Sequence, residues 1–560
     1  MRKIVIIGGV AAGLKSAAKA RRGDPKARIT VVERGEIISY GACGMPYFVA
    51  GDVDAIESLM KTPVGALRNP AFFKNVKDID VLVQTAATKI DRQAKTVQVK
   101  NLVSGEESTI SYDQLVIATG ASPVRPPLSG VNLAGIFTLW HPNDAVAIRK
   151  GLEKGLYKRA VIVGAGLVGM EMVEALKQWD IDVTVVEMQD QVFPAFLDPE
   201  IAGMVKKYCE EKGVKVLTGE KVTRFVGEEN IAAVETEKQS LPADLVILAL
   251  GARPNVELAK EAGLNIGVTG GILVDDRMRT SDSDIFAGGD CVENVNIVSG
   301  RKVFSPMGST ANKQGRVIGV NLCGGDDRFR GVLNTVVVKV MDMNVGKTGL
   351  TEREAKEAGH EFISVLVAGH DKPHYMPGAK LISIRLIVDV ATRKVLGMQG
   401  VGEGEIAKRV DVVASALTFG GTVNDLFDID LSYAPPYNSP IDNVAVAANS
   451  AMNKLAGKFR GISSLEAQQL MNDGKVVFLD VRTPEECKLV KIADCNNLKY
   501  IPLGQLRSRL GELEKSDEIV AFCKISLRGY EAEAILEGEG FENVKVMEGG
   551  IFSYPFRCEK

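Results

Sequence analysis

Residues 160–169 read Ala-Val-Ile-Val-Gly-Ala-Gly-Leu-Val-Gly, and this stretch decides the fold. Four apolar residues predict a short buried strand that runs into three closely spaced glycines, Gly164, Gly166 and Gly169. A helical pattern follows, and a second strand over residues 182–186 ends at Glu187, eighteen residues after the last glycine. A strand, a glycine turn, a helix and a terminal carboxylate predict a dinucleotide-binding βαβ unit.

The residues after Glu187 bear on the choice of dinucleotide. They read Met-Gln-Asp-Gln over residues 188–191 and include no arginine or lysine. A 2′-phosphate on the ribose needs such a cation, whereas a free ribose hydroxyl is bound by a carboxylate. The sequence therefore favours NADH over NADPH at this unit.

A second copy of the pattern lies at the N-terminus. The strand of residues 3–7 meets the glycines Gly8, Gly9 and Gly13, and Glu33 follows a second strand twenty residues after Gly13. Val10 stands where the consensus has a glycine, which weakens the evidence from the loop. The carboxylate of Glu33 at the end of the second strand strengthens the prediction. Two such units about 155 residues apart predict two bound dinucleotides, and FAD with NADH is the natural pair.

Two further segments join these units into a known pattern. Residues 112–120 form an apolar strand ending at Thr119-Gly120, and residues 280–290 form another ending at Asp290. With these four ordered motifs, residues 1 to about 447 resemble the pyridine nucleotide–disulfide oxidoreductases, a flavoprotein family with two dinucleotide-binding domains. The resemblance implies that Thr119 and Gly120 lie over the flavin nucleotide and that Asp290 binds its ribityl chain.

Cys43 stands in the segment Ser39-Tyr-Gly-Ala-Cys-Gly-Met-Pro-Tyr47, just after the first βαβ unit. A single cysteine cannot form an internal disulfide, so it must cycle through a mixed disulfide, a persulfide or a sulfenic acid. The segment resembles the single-cysteine branch of the family, which includes coenzyme A disulfide reductases, NADH oxidases and peroxidases, and persulfide reductases. Pro46 suggests that a helix starts here, and a helix N-terminus is expected to lower the pKa of the Cys43 thiol.

Basic residues crowd the first helix. They are either a solvated surface or a cradle for the phosphates of coenzyme A. In coenzyme A disulfide reductases this helix and the residues beside the cysteine contact the ligand, and by that resemblance the candidates are Lys15, Lys19, Arg22 and Ser39. Ala42 departs from the asparagine often found there, which weakens this assignment.

Two tyrosines are candidates for proton transfer. Residues 431–440 match the Tyr-Ala-Pro-Pro-Tyr stretch of the family's C-terminal dimerisation domain, where Tyr433 would approach the active site of the partner subunit. Tyr375 is the second candidate, and packing at the dimer interface is the alternative role of both. Ile441 stands where relatives often carry a lysine in contact with coenzyme A.

The last hundred residues form a further α/β pattern. The strand of residues 476–479 leads to Asp480-Val-Arg482, and Thr483-Pro-Glu-Glu486 then opens a helix. The strand of residues 518–522 leads to the loop from Cys523 to Arg528. A cysteine at a strand end that faces a helix N-terminus sits among inward-pointing amides, which stabilise a thiolate or persulfide. With the terminal Gly549-Gly550, this segment resembles a rhodanese domain. The loop has six residues, which favours a sulfur substrate over a larger oxyanion. The resemblance implies that Cys523 carries the sulfur and that Arg528 contacts the substrate.

Composition removes several classes of protein. The chain has 560 residues, a net charge of −3 and 46% hydrophobic residues, so a chain-wide basic surface for nucleic acid is excluded. No apolar run reaches the ~18 residues that would predict a membrane span. The eight cysteines form no CxxC pair and do not cluster with histidine, so we expect no metal site and a reducing, cytoplasmic setting.

The predicted fold class is α/β, with two Rossmann-like domains, an α+β dimerisation domain and a C-terminal rhodanese domain. The predicted boundaries are 1–150 and 281–327 for the FAD domain, 151–280 for the NAD domain, 328–447 for dimerisation, 448–460 for a linker or short helix, and 461–560 for rhodanese.

The favoured function is reduction of persulfide or polysulfide by NADH in a homodimer, with release of sulfide and with coenzyme A as a carrier of sulfur. The alternatives are a coenzyme A disulfide reductase with an accessory rhodanese, an NADH oxidase or peroxidase acting through a Cys43 sulfenic acid, and a redox sensor without turnover.

Overall fold

The computed structural model describes residues 1–493 and 495–559. The chain forms two compact units. One comprises Met1–Val186 and Glu220–Val332, and the other comprises Glu187–Gly219 and the chain from Leu333 onward. Each unit contains parallel β-sheet flanked by helices together with antiparallel sheets, so the predicted α/β class is confirmed.

The first unit contains the predicted FAD-binding sheet. Its five parallel strands lie in the order Ile285–Ala287, Gln114–Ile117, Lys3–Ile7, Arg28–Val32 and Asp80–Leu82. The central strand is apolar on both faces, with Ile4 and Ile6 buried on one face and Val5 on the other, as helices on both sides of a parallel sheet require. Parallel strands place their carboxyl ends at one edge, where three of the predicted site segments meet.

Helices and a small antiparallel sheet cover this domain. Helix Ala12–Gly23 packs so closely on helix Gly308–Asn321 that a Cβ at Gly315 would lie 2.6 Å from the carbonyl oxygen of Ala12. The other helices of the domain are Met45–Ala50, Pro70–Lys77 and Pro142–Glu153. The antiparallel sheet consists of Thr85–Asp91, Thr96–Asn101 and Glu107–Ser111.

The same unit contains the sheet of the predicted NAD domain. Its parallel strands lie in the order Asp182–Glu187, Arg159–Val163, Leu245–Leu248 and Ile136–Phe137. The helix Leu167–Lys177 follows the glycine turn, and helix Glu257–Glu261 lies further along the chain. Three smaller sheets complete the unit. They are the antiparallel sheet Val222–Gly227, Ile231–Thr236 and Ser240–Pro242, the pair Ala121–Pro123 with Ala252–Pro254, and the pair Asn294–Val295 with Lys302–Val303.

The second unit contains the predicted dimerisation domain. Its antiparallel strands lie in the order Val336–Val340, Met343–Gly349, Val395–Gly402, Leu381–Asp389 and Phe362–His370. The helices of this part are Pro199–Glu211, Glu352–Glu357, Ala407–Thr418, Val423–Asp428 and Asn443–Leu455. The last of these crosses the predicted boundary at Ala447 and buries Ala447, Ala448 and Ala451, so helix occupies much of the predicted linker.

The C-terminal domain belongs to the second unit. Its parallel strands lie in the order Gly461–Ile462, Val544–Met547, Ile519–Phe522, Val477–Asp480 and Leu498–Tyr500. Its helices are Ser464–Asp473, Pro484–Leu489, Leu503–Leu506 and Leu527–Gly538, and Lys491–Ile492 pairs with Cys558–Glu559. The predicted strands and the helix after Cys523 are therefore present, with ends that differ by one or two residues.

A buried carboxylate connects separate segments of the second unit. Glu200 is fully buried and pairs with the guanidinium of Arg385, which is 4% exposed. The same carboxylate accepts a 2.6 Å hydrogen bond from the backbone N–H of Ser464 in the C-terminal domain. A second carboxylate, Glu548, accepts from the backbone N–H of Leu366 at 2.7 Å and from Lys454 Nζ at 2.6 Å. Buried pairs of this kind are costly to break, so they fix the C-terminal domain against the antiparallel sheet.

None of the helices formed by the described residues has the length and hydrophobicity that a membrane crossing requires.

Candidate functional site

The first glycine turn has the shape that a bound pyrophosphate needs. A Cβ at Gly8 would lie 2.1 Å from the carbonyl oxygen of Ala118, and one at Gly13 would lie 1.9 Å from that of Gly8. No other residue fits at these positions, because the turn, the neighbouring strand and the helix are in backbone contact. The N–H of Gly9 donates to Glu33 Oε2 at 2.7 Å, which fixes the carboxylate beside the turn. The four predicted residues are therefore together at the carboxyl edge of the sheet.

The other predicted flavin contacts lie at neighbouring strand ends of the same sheet. Thr119 Oγ1 donates to the carbonyl of Asn255 at 2.7 Å, and Asn255 Nδ2 donates to the carbonyl of Thr119 at 2.8 Å. Gly120 has φ of 65° with open space around its Cβ position. Burial raises the pKa of Asp290 to about 6. A buried carboxyl of this kind suits a hydrogen bond with a hydroxyl group. These features fit FAD. The contribution of Asn255 was missed because its side chain reaches Thr119 across 136 residues of sequence.

The second glycine turn repeats this geometry. A Cβ at Gly164 would lie 2.4 Å from the carbonyl oxygen of Ala249, and one at Gly169 would lie 2.1 Å from that of Gly164. Gly166 is the N-cap of helix Leu167–Lys177, and no atom lies within 4 Å of its Cβ position, which leaves room for a phosphate to approach the helix. Glu187 ends its strand and accepts from the backbone N–H of Gln189 at 2.8 Å. This turn fits NADH.

Cys43 lies in a short 3₁₀ turn, Ala42–Gly44, directly before the six-residue helix Met45–Ala50. The expected lowering of the pKa of Cys43 is wrong. The residue is exposed, but its thiol is partly enclosed, and this desolvation followed by the carboxylates of Glu171 and Asp290 raises the pKa of Cys43. A six-residue helix offers only a weak dipole, so burial and the two carboxylates determine the sign.

Glu171 is a further residue of this site that sequence reasoning missed. It lies on helix Leu167–Lys177 of the NAD-binding part, two positions after Gly169. Burial, followed by the charge of Glu174, raises the pKa of Glu171 to about 7. A carboxyl with such a pKa beside a reactive thiol can hold or release a proton near neutral pH. The signal in the sequence was a pair of acidic residues, Glu171 and Glu174, in a largely apolar helix.

The candidate coenzyme A contacts lie on the helix that begins at the first glycine turn. Lys15 and Arg22 are exposed and Lys19 is half-buried. Among residues 1–493 and 495–559, none of the three forms a salt bridge. Ser39 is nearly buried, with a left-handed φ of 55°, and its N–H donates to the carbonyl of Gly9 at 2.9 Å. Three unpaired cations on one helix suit an anionic ligand.

Cys523 is buried at the end of strand Ile519–Phe522. Its carbonyl accepts from the N–H of Ile551 at 2.9 Å, and that of Lys524 accepts from Phe552 at 3.0 Å. Ser526 has a left-handed φ of 75° and its Oγ accepts from the N–H of Gly549 at 3.1 Å. The Gly549-Gly550 turn therefore holds the loop, as a Cβ at Gly550 would lie 2.5 Å from the carbonyl of Cys523.

Arg528 ends this loop and is held by a partner that sequence reasoning missed. Its two terminal nitrogens donate to the two oxygens of Glu486 at 2.7 Å each, a bidentate pair. The pairing lowers the pKa of Glu486 to about 2. Arg528 also interacts with the Cys523 thiol. Glu486 was recognised only as part of a helix start, a role it also has, since it accepts from the N–H of Thr483 at 3.0 Å.

The two candidate tyrosines are exposed in the single chain. Tyr375, on the turn between strands Phe362–His370 and Leu381–Asp389, is 64% exposed, and Tyr433 is 49% exposed. Large exposed apolar side chains surround the second tyrosine along the sequence: Phe427, Ile429, Tyr437 and Ile441. Such a patch suits burial against another chain. The other six cysteines are free, and two of them, Cys209 and Cys291, are fully buried.

Comparison with known families agrees with this geometry. Residues 2–312 match the family described as pyridine nucleotide-disulphide oxidoreductase, and residues 335–445 match its dimerisation domain. Residues 463–554 match the rhodanese-like domain. The chain therefore belongs to the pyridine nucleotide-disulphide oxidoreductases, flavoenzymes that use FAD and a nicotinamide dinucleotide, and it carries a C-terminal rhodanese-like domain.

Three relatives show which members of the family this chain is similar to. A solved structure of a NAD-dependent persulfide reductase from A. fulgidus is 46% identical, with a TM-score of 0.94, and covers 99% of this chain and 100% of that one. An NAD(P)H coenzyme A polysulfide/persulfide reductase of Pyrococcus horikoshii is 38% identical over 80% of this chain and 98% of its own length. A protein of Methanocaldococcus jannaschii named NADH oxidase is 36% identical over 81% of this chain and all of its own.

Proposed function

We propose that this protein is an FAD-dependent NADH:persulfide or polysulfide reductase that releases sulfide. The observation that carries the proposal is the presence of two different sulfur-active thiols in one chain. The charge of the flavin-site residue Asp290 acts on Cys43, and Cys523 lies in a rhodanese loop that ends at Arg528. The relatives named persulfide or polysulfide reductases support this substrate class.

The net reaction converts a persulfide, NADH and a proton into a thiol, hydrogen sulfide and NAD⁺. Bound FAD supplies the two-electron transfer between nicotinamide and sulfur. The Cys43 thiolate attacks one sulfur of the persulfide, a new S–S bond forms and the old one breaks. Attack on the inner sulfur expels hydrosulfide and leaves a mixed disulfide, whereas attack on the outer sulfur expels the thiolate and leaves a Cys43 persulfide.

Protons must reach the departing sulfur. Glu171, whose pKa is raised to about 7, is placed to exchange one near Cys43. Tyr433 and Tyr375 remain candidates from the partner subunit of a homodimer, which the dimerisation domain and their exposure support. Lys15, Lys19, Arg22 and Ser39 are the proposed contacts for a coenzyme A carrier, and Glu187 favours NADH over NADPH.

Cys523 acts as the sulfur carrier in this proposal. Its thiolate takes one sulfur from a donor and holds it as a persulfide, whose negative charge Arg528 stabilises. That sulfur passes to the Cys43 site, with coenzyme A as the mobile thiol. The rhodanese domain thus widens the set of donors that the flavoprotein can reduce.

The test is anaerobic NADH oxidation with polysulfide, coenzyme A persulfide, coenzyme A disulfide and peroxide as parallel acceptors. We expect sulfide release from the first two, loss of all turnover in Cys43→Ser, and loss of polysulfide turnover alone in Cys523→Ser. Cys495→Ser is the control, because that thiol packs against the apolar core of the C-terminal domain and belongs to neither site.

Other outcomes favour the alternatives. One relative bears the name NADH oxidase, so peroxide or oxygen turnover without sulfide release would favour a Cys43 sulfenic acid enzyme. Turnover only with coenzyme A disulfide would favour that reductase activity with an accessory rhodanese. Polysulfide turnover that persists in Cys523→Ser would show that the rhodanese thiol is not the carrier.

A further inference from the structure

A cavity of about 590 Å³ lies in the second unit, beside the loop that carries Cys523. Three parts of the chain line it: helix Pro199–Glu211, the antiparallel sheet of the dimerisation domain, and the C-terminal domain. A cavity built from three segments exists only in the fused chain, since an isolated rhodanese domain would leave this side open to solvent. Its volume is ordinary for a small-molecule site.

The charged groups that line the cavity leave an excess of positive charge. Four of them are paired within the protein, in three pairs: Lys380 with Glu403, Arg482 with Asp480, and Glu486 with Arg528. Two lysines are not. In the described part of the chain, Lys524 forms no salt bridge, and Lys207 Nζ donates only to the carbonyls of Tyr554 and Phe556, at 2.9 Å each, and to the Cys558 sulfur.

His370 faces the same space. Its burial, and then the positive charge of Lys524 and the presence of His374, lower the pKa of His370. The imidazole is therefore neutral near pH 7 and adds no charge, and Lys524 lines the same cavity. Glu211 is the one lining carboxylate that forms no salt bridge among the described residues.

The rest of the wall is apolar and polarisable. Two methionines, Met204 and Met343, line it together with Leu381, Val490 and Phe552. Such surfaces suit a ligand with a soft, uncharged body and anionic ends. The cavity adjoins the rhodanese loop at two places. Ile551 and Phe552 hydrogen-bond the carbonyls of Cys523 and Lys524, and Glu486 holds the Arg528 that interacts with Cys523.

We propose that this cavity binds inorganic polysulfide, with Lys524 and Lys207 attracting its anionic ends, and that it is the entry through which sulfane sulfur reaches Cys523. The inference rests on the proposed function, in which Cys523 receives sulfur. The Cys523 thiolate attacks the terminal sulfane sulfur, one S–S bond forms and one breaks, and a polysulfide dianion shorter by one sulfur departs. Charge is conserved and no external oxidant or reductant is needed.

The test follows sulfur loading of Cys523 directly in the full-length enzyme without NADH. Polysulfide is mixed with the enzyme, the reaction is quenched at short times, and the gain of one sulfur atom on Cys523 is measured by mass spectrometry. Lys524→Gln is expected to lower the loading rate constant about tenfold, the usual effect of losing one hydrogen bond to a charged group. Lys207→Gln is expected to act in the same direction.

Leu489→Trp separates blockage of the cavity from loss of charge. Leu489 lines the cavity but is 73% exposed, so a larger side chain there leaves the fold intact and narrows the entrance. We expect slower loading in this variant as well. Lys515→Gln is the matched control, because it removes an exposed lysine of the same domain away from the cavity and should load at the normal rate.

Two results would overturn the proposal. Loading by polysulfide at the normal rate in both Lys524→Gln and Leu489→Trp would show that sulfur enters elsewhere. Slower loading by coenzyme A persulfide, with polysulfide unaffected, would assign the cavity to the carrier instead. NADH oxidation with coenzyme A persulfide serves as the reference for the flavin site. If the unmodified enzyme shows none with either donor, the proposed function itself has failed, independently of the cavity.

Discussion

The pair between Glu486 and Arg528 gives the sharpest prediction for the rhodanese loop. Its bidentate geometry lowers the pKa of Glu486 from 4.5 to about 2. Such a change corresponds to at most about 3 kcal/mol in favour of the charged carboxylate. The Glu486 side chain is 28% exposed, and an amide would keep one hydrogen bond, so we expect Glu486→Gln to cost about 2 kcal/mol.

The assay is amide hydrogen exchange, because the chain has several domains and a single unfolding free energy would not be well defined. A cost of about 2 kcal/mol should accelerate exchange about thirtyfold in the first turns of helix Leu527–Gly538. The stabilisation by the carboxylate is fully present above pH 4.5 and is lost as the pH falls toward about 2. The difference between the variant and the unmodified protein should therefore vanish in strong acid.

A matched control exists in the same domain. Arg509 and Glu512 form a pair at 2.6 Å, but Glu512 is 52% exposed, so Glu512→Gln should change exchange very little. Equal protection of the loop in Glu486→Gln and in the unmodified protein would refute the reasoning. So would an effect of Glu512→Gln as large as that of Glu486→Gln.

Three further predictions concern the flavin site and the buried core. Gly13→Ala should abolish retention of FAD, measured by flavin absorbance per chain, because the new Cβ would lie 1.9 Å from the carbonyl of Gly8; normal flavin content would contradict this. Glu200→Gln should destabilise the second unit by about 3 kcal/mol, read as a lower unfolding temperature, because Arg385 keeps a buried charge; an unchanged temperature would contradict this. Burial raises the pKa of Asp290 from 3.8 to about 6, so its ionisation removes stability from the cofactor-free protein as the pH rises through this window. Asp290→Asn should therefore raise the unfolding temperature of that form above pH 6 but not below pH 3.8, and equal shifts at both would contradict this.

The elements that follow local rules were predictable from the sequence. The strands Lys3–Ile7 and Arg159–Val163 appear as apolar runs before glycine turns, and these patterns depend on neighbouring residues alone. The first and last residues of the strands differ by one or two positions from the prediction, because hydrogen bonding with adjacent strands determines where a strand ends. The sequence predicted a linker or a short helix where helix Asn443–Leu455 ends, and it did not decide between them because polar residues separate the alanines that this helix buries.

The site was only partly predictable, for a physical reason. Cys43 and Cys523 stand in segments that can be recognised by themselves. Glu171 acts on Cys43 from a helix that follows a different glycine turn, and Glu486 reaches Arg528 across 42 residues of sequence. Contacts of this kind depend on the packing of distant segments, so no local spacing indicates them. The sign of the change in the Cys43 pKa was wrong for the same reason.

The charges around the two thiols have opposite signs, and this difference explains why one chain would use both. The carboxylates of Glu171 and Asp290 act on Cys43, whereas Arg528 and the adjacent Lys524 act near Cys523. A polysulfide anion is therefore attracted to Cys523 and repelled from Cys43. Above pH 7, where Glu171 is ionised, added salt should slow the loading of Cys523 but raise the residual polysulfide turnover of Cys523→Ser, because screening weakens attraction and repulsion alike. Salt effects of the same sign in the two measurements would show that charge does not divide the work between the thiols.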